Sequence, residues 1–332
     1  MAEAFADVPG LAASVRSGEA RALARAISLV EDDAPQAQPL LRALFPHAGR
    51  SLIVGVTGPP GAGKSSLVDR LTALLRGEGK SVGIVAVDPS SPYSGGAILG
   101  DRIRMQAHAT DPGVFIRSMA TRGHLGGLAA STGLVLTVLA ASGKDVILVE
   151  TVGVGQDEVE IVGAADVSVV VLVPGLGDEV QALKAGIMEI ADVFVVNKAD
   201  RDGVERVVAE IESMLSLVPG EQPSPAIVRT VATHDEGTRA LADAIKAFHA
   251  RARDTGALAA RRRLQLRRQL DDAVKRRLVE RLVSTLRPGE TDALVERIAR
   301  REIDPFTAAE ELTSGGGLGG APHPAKPEET RA

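Results

Sequence analysis

Gly58-Pro59-Pro60-Gly61-Ala62-Gly63-Lys64-Ser65 stands directly after an apolar run, residues 51–57, and directly before a helix-forming stretch, residues 66–76. Two glycines bracket four residues and Lys-Ser follows, the pattern of a phosphate-binding loop. Glycine is needed because backbone N–H groups must turn inward around a di- or triphosphate, and a side chain there would block them. In such a loop Lys64 sets its ammonium against the β- and γ-phosphates, and the Ser65 hydroxyl ligates the Mg2+ that bridges them. The following helix presents its N-terminus to the same anion. A plain Gly/Pro turn would not require the whole pattern between a strand and a helix. We therefore assign Gly58, Pro59, Pro60, Gly61, Ala62, Gly63, Lys64, Ser65 and Ser66 to nucleotide binding.

Outward from this loop, short apolar runs alternate with helical segments. Strands are predicted at 51–57, 81–87, 114–116, 146–149, 167–173, 193–196 and 226–231. Helices are predicted at 65–76, 125–141, 179–189, 203–216 and 237–251. Several strands are continuous Val/Ile/Leu runs, which mark strands buried on both faces of a mainly parallel sheet. The expected fold is a doubly wound α/β P-loop NTPase, flanked by N-terminal and C-terminal helical extensions.

The extensions are read from periodicity. Residues 1–50 suggest a helix over 19–31, capped by Ser17, and a second over 36–45 that Pro46 ends. Beyond residue 253 no strand signal remains. Leu266, Leu270, Val274, Leu278 and Leu282 recur every four residues among Arg and Lys, predicting a long amphipathic helix and then a second over 291–302. The expected divisions are an N-terminal extension, 1–50, a nucleotide domain, 51–253, a dimerising helical arm, 254–312, and a disordered tail, 313–332. No internal repeat is read from the sequence.

Composition narrows the function. The 332 residues carry 38 Lys and Arg against 43 Asp and Glu, a mildly acidic balance that gives no support for a general nucleic-acid surface, and no nucleic-acid partner is expected. With no cysteine, disulfides, thiolate metal sites and thiol catalysis are excluded. Met1-Ala2-Glu3-Ala4 lacks a basic leader, and the apolar stretch 125–141 falls short of a membrane span. A soluble cytoplasmic protein with no membrane contact is expected.

The base is argued from Asn197-Lys198-Ala199-Asp200, placed after the strand 193–196. There the Asp200 carboxylate accepts from guanine N1–H and the exocyclic amine, donors that adenine does not offer. Asn197 reaches the purine edge and ties this loop to the phosphate loop, while the Lys198 stem covers the base. A backbone donor to guanine O6 is expected from the loop after 226–231, around Ala232-Thr233-His234. Asp88 and Glu150 end two predicted strands, on the side of an open α/β sheet where ligands bind, and Asp101 sits in the loop of a first switch. With Ser65 they form the candidate magnesium shell. Glu150-Thr151-Val152-Gly153 fits an acid-x-x-Gly switch whose Gly153 N–H senses the γ-phosphate, and Gln156 is the candidate for orienting the attacking water. No cis arginine finger is identifiable among the candidates Arg102, Arg104 and Arg122, so hydrolysis is expected to be slow alone and partner-activated. None of the six histidines is spaced as a metal pair.

These segments, with Val87-Asp88-Pro89-Ser90-Ser91, 95–105, 121–127, 150–156 and 174–184, resemble the MeaB/ArgK GTPases over roughly residues 10–290. The resemblance implies a homodimeric chaperone of an adenosylcobalamin-dependent acyl-CoA mutase, usually methylmalonyl-CoA mutase. It implies that GTP binding and hydrolysis gate cofactor loading and protect the mutase. It makes Asp178, Gln181 and Lys184 coupling residues of an additional switch, and the C-terminal helices dimerisation arms. Ser66 and Ala232 depart mildly from the family pattern, where Thr and Ser are usual. Rival readings are a metallochaperone GTPase, an amino-acid transport kinase or ATPase, and a scaffold acting through the basic helix.

Overall fold

This computed structural model describes residues 7–88, 108, 110–120, 127–151, 163–175, 190–216 and 224–315. Seven strands form one parallel sheet: β1 (Leu52–Thr57), β2 (Val82–Asp88), β3 (Val114–Ala120), β4 (Val146–Thr151), β5 (Val167–Leu172), β6 (Val193–Asn197) and β7 (Ala226–Thr230). Their order is β3-β2-β4-β1-β5-β6-β7. β1 therefore runs down the centre, with Val56 opposite Glu150 on one side and Thr57 opposite Val170 on the other. β4, β5 and β6 are buried along their whole length, which is why they read as unbroken apolar runs.

Helices cover both faces. On one, α4 (Lys64–Gly77) and α7 (Thr238–Asp254) pack against the valines of β1, β5 and β6. On the other, α5 (Gly127–Ala141) shares a core with three N-terminal helices, α1 (Val8–Arg16), α2 (Ala20–Glu31) and α3 (Ala37–Leu44). α6 (Val204–Ser216) closes a smaller core over β5 and β6, around the fully buried Phe194.

The N-terminal extension differs from expectation in two details. α1 was not read from the sequence, and Ser17 closes it, donating to Ser14 O at 2.9 Å, while Glu19 precedes α2 without capping it. Pro46 lies inside a 3-10 turn, Phe45–His47, that follows α3. These helices join the sheet through a buried ion pair: Arg117 of β3 binds Glu31, 6% exposed, and Ser28 Oγ of α2 at 3.1 Å.

Under the sheet, opposite the phosphate loop, one device occurs twice. Asp166 precedes β5; its N–H donates to Ile53 O at 2.8 Å, and its carboxylate accepts from Ile53 N at 3.0 Å. Asp192 precedes β6 and brackets Ser168 in the same way, at 2.9 and 2.8 Å. Both sit in the tripeptide Ala-Asp-Val, at 165–167 and 191–193, a short internal echo that the sequence reading passed over. Consecutive arginines then clamp them. Arg261 meets Asp192 at 2.5 and 2.7 Å, and Arg262 meets Asp166 at 2.7 and 2.8 Å. Hydrogen bonding to these carboxylates holds both guanidinium groups above their ordinary pKa.

The arginines belong to α8 (Ala257–Thr285), the long helix expected from the four-residue repeat. The compact units divide inside it, the first ending at Gln269 and the second starting at Leu270, so the helix joins the nucleotide unit well beyond residue 253. Leu266, Leu270, Val274 and Leu278 are each about half exposed. The second unit continues with α9 (Glu290–Ala299) and α10 (Pro305–Gly315), tied by Arg297 to Glu311 at 2.6 Å. α10 carries helix two residues past position 313, into the segment expected to be a disordered tail. Among the described residues no helix is long and apolar enough to cross a membrane.

Candidate functional site

The phosphate loop follows β1 at the central position of the sheet, where the connections diverge to either side. Gly58 has φ +148°, and a Cβ there would lie 2.2 Å from Val171 O of β5. Gly63, φ +87°, caps α4; its Cβ would lie 2.4 Å from Asn197 Nδ2. Two of the glycines are thus demanded by backbone shape and close approach together. Lys64 is buried, with Nζ donating to Gly58 O at 2.7 Å and Pro59 O at 2.9 Å. No acidic residue stands in the first turn of α4, which leaves its N-terminal field to an anion. Ser66 is exposed on that turn.

The Gly63 contact yields a prediction. Gly63→Ala adds a left-handed penalty of about 1–2 kcal/mol to the clash with Asn197. Nucleotide binding is expected to weaken by tenfold or more in a fluorescent-nucleotide titration, and wild-type affinity would contradict it.

Asn197 ends β6 and is the hub of the site. Its Nδ2 donates to Ala62 O at 2.8 Å, while Oδ1 accepts from Thr230 Oγ1 at 3.0 Å and Ala232 N at 3.2 Å. One amide thus joins the phosphate loop, β7 and the loop after it. The Ala232 N–H, in the loop expected to donate to guanine O6, here donates to Asn197 Oδ1, so a base must share or displace that bond. Lys198, at φ +55°, extends over the phosphate loop to Gly61 O at 2.7 Å. Asp200 is exposed two residues beyond.

At the end of β4, Glu150 is 5% exposed and its Oε1 accepts from Ser65 Oγ at 2.5 Å. A hydroxyl and a carboxylate meeting beneath the phosphate loop are hard oxygen donors, and they suit Mg2+. Beside them Thr57 and Thr151 join their hydroxyls at 2.9 Å, fixing the ends of β1 and β4 to each other. Asp88 ends β2, the neighbour of β4. Asp101, Gly153, Gln156, Asp178, Gln181 and Lys184 lie outside the described residues, as do Arg102, Arg104 and Arg122.

Three contributors were not picked out from the sequence. Thr230 and Thr151 are ordinary strand-end hydroxyls there, and only their hydrogen-bond partners place them at the site. Arg70 of α4 donates through Nε to Ala232 O at 3.1 Å.

Comparison with known proteins agrees with this geometry. The model of the family described as methylmalonyl Co-A mutase-associated GTPase MeaB matches residues 23–287. A Pyrococcus abyssi protein provisionally named a GTPase is 48% identical over 311 residues, 92% of this chain and 96% of its own. The mouse mitochondrial methylmalonic aciduria type A homolog is 34% identical over 315 residues, 89% of this chain and 76% of its own. A crystal structure of a LAO/AO transport system kinase, 28% identical, superposes with a TM-score of 0.69 and covers 93% of this chain and 97% of that one. With a phosphate loop on β1, a parallel sheet and a match spanning most of its length, the chain belongs to the MeaB family of P-loop GTPases.

Proposed function

We propose that this protein binds and hydrolyses GTP as a homodimeric chaperone that gates adenosylcobalamin loading of an acyl-CoA mutase, of the methylmalonyl-CoA class, and protects it. The observation that supports the nucleotide assignment is the Asn197 hub, which ties the phosphate loop to the end of the strand that Asp200 follows. Asp200 then reads the two guanine donors, and Lys198 flanks the base. Lys64 turns from its loop carbonyls to the β- and γ-phosphates, and the α4 N-terminus adds its dipole.

Ser65 and Glu150 would hold Mg2+, with Asp88 and Asp101 completing the shell. What magnesium supplies there, when bound, is neutralisation of phosphate charge. Gly153 and Gln156 follow Glu150 in sequence and are assigned to γ-phosphate sensing and to water positioning. Asp178, Gln181 and Lys184, between β5 and β6, are assigned to coupling nucleotide state to the mutase.

A second reading, a transport-linked kinase or ATPase, rests on the likeness to the LAO/AO transport system kinase. Competition binding separates the two. GTP is expected to be preferred over ATP by at least about a hundredfold, the discrimination that buried or oriented polar readout gives. Equal affinities would refute the guanine assignment. The chaperone role is tested by capturing a cobalamin-dependent mutase on the immobilised protein with GTP, with GDP and with no nucleotide. Nucleotide-dependent retention is expected; no retention in any state, with unchanged GTP turnover, would refute it.

A further inference from the structure

We infer that Arg70 is a positioning residue for base recognition, an inference that rests on the guanine reading above. Arg70 lies two turns into α4, roughly 9 Å along the axis from Lys64. Its guanidinium is directed at neutral backbone: Nε donates to Ala232 O at 3.1 Å, and Nη2 lies 3.5 Å from Thr233 O. Among the described residues it forms no ion pair with a carboxylate. A permanent cation is thus committed to the loop that follows β7, the short 3-10 turn Ala232–His234.

The consequence follows from peptide geometry. The Ala232 N–H is held by Asn197 Oδ1, and the Ala232 carbonyl is held by Arg70. Two successive peptide planes are therefore pinned, one from β6 and one from α4. Because a trans peptide is planar, fixing the Ala232 carbonyl also fixes the Thr233 N–H, which points the opposite way. This loop is the one assigned to guanine O6, an acceptor that adenine lacks. Its donors are useful for discrimination only if they do not swing. The helix that receives the phosphates thus sets the angle at which the base is read, through a contact with neither.

The test uses the full chain, Arg70→Ala, and calorimetric titration with three probes: GDP, ADP and inorganic tripolyphosphate. GDP affinity is expected to fall about tenfold, the scale of one charge-assisted hydrogen bond. Tripolyphosphate and ADP affinities are expected to stay within about twofold, so the GDP/ADP ratio falls with GDP alone. Parallel weakening of GDP and tripolyphosphate would overturn the inference, because it would mark a general loosening of α4. An unchanged GDP/ADP ratio would overturn it equally. The guanine reading is scored separately, by whether the unmutated chain prefers GDP over ADP at all.

Discussion

Lys64→Ala is expected to lose triphosphate binding by a factor of about a hundred or more, measured by titration with a non-hydrolysable GTP analogue. The magnitude follows from removing a buried, charge-assisted contact to a multiply charged anion, which the low local dielectric makes strong. Lys64 Nζ sits between the carbonyls of Gly58 and Pro59, so the substitution also leaves two loop acceptors without that donor. Thermal stability is therefore expected to drop modestly while the sheet stays intact. Guanosine binding, which needs no phosphate, serves as the control and is expected to persist. Retained triphosphate affinity would remove the phosphate assignment of the whole loop.

Asp166→Ala is expected to have the largest effect on stability, a loss of about 3–5 kcal/mol, the range for removing one partner of a buried ion pair. Asp166 is 2% exposed and accepts from Ile53 N, Arg262 Nε and Arg262 Nη2. Deleting it leaves the Arg262 guanidinium with only the carbonyls of Gly49 and Ser51, and leaves Ile53 N, at the start of the strand that carries the phosphate loop, without its acceptor. Urea unfolding followed by far-UV circular dichroism reads the shift in the midpoint of the nucleotide unit. The exposed pair Arg206–Glu210 is the comparison: Glu210→Ala should change the unfolding free energy by less than about 0.5 kcal/mol. Equal shifts would show that the clamp contributes no more than a surface pair.

Much of the sheet was legible because strands buried on both faces leave an unmistakable record of Val and Ile. Their limits moved by a residue or two, except at β3, which runs to Ala120 although only 114–116 was read as strand. Arg117 and Ser118 broke the apolar run, and Arg117 is accommodated because Glu31 of α2 neutralises it. α1 was hidden for a related reason. Pro9 and Gly10 are poor helix formers, yet Pro9 sits at the start of a helix, where its missing N–H costs nothing, and Asp7 accepts from Gly10 N at 2.8 Å.

The site divides along the same line. Gly63, Lys64 and Asn197 stand out in the sequence by type and spacing, and the structure brings them together. Arg70 does not stand out, because a backbone carbonyl acceptor belongs to every residue and leaves no trace in sequence. The arginine clamp could have been suspected from the two Ala-Asp-Val tripeptides, since an aspartate just before an apolar strand must find a partner. What it takes to see Arg261 and Arg262 as those partners is the path of α8, nearly seventy residues beyond the second tripeptide.

The carbonyls that hold Lys64 also bear on the stiffness of the loop. Gly58 O and Pro59 O lie 2.7 and 2.9 Å from Nζ, so one ammonium bridges the first two carbonyls of the turn that precedes it. Hydrogen bonds with one charged partner are the stronger kind, and here they close the loop onto the helix that begins at Lys64. Lys64 is in this sense a strut as well as a charge: it braces the turn from inside.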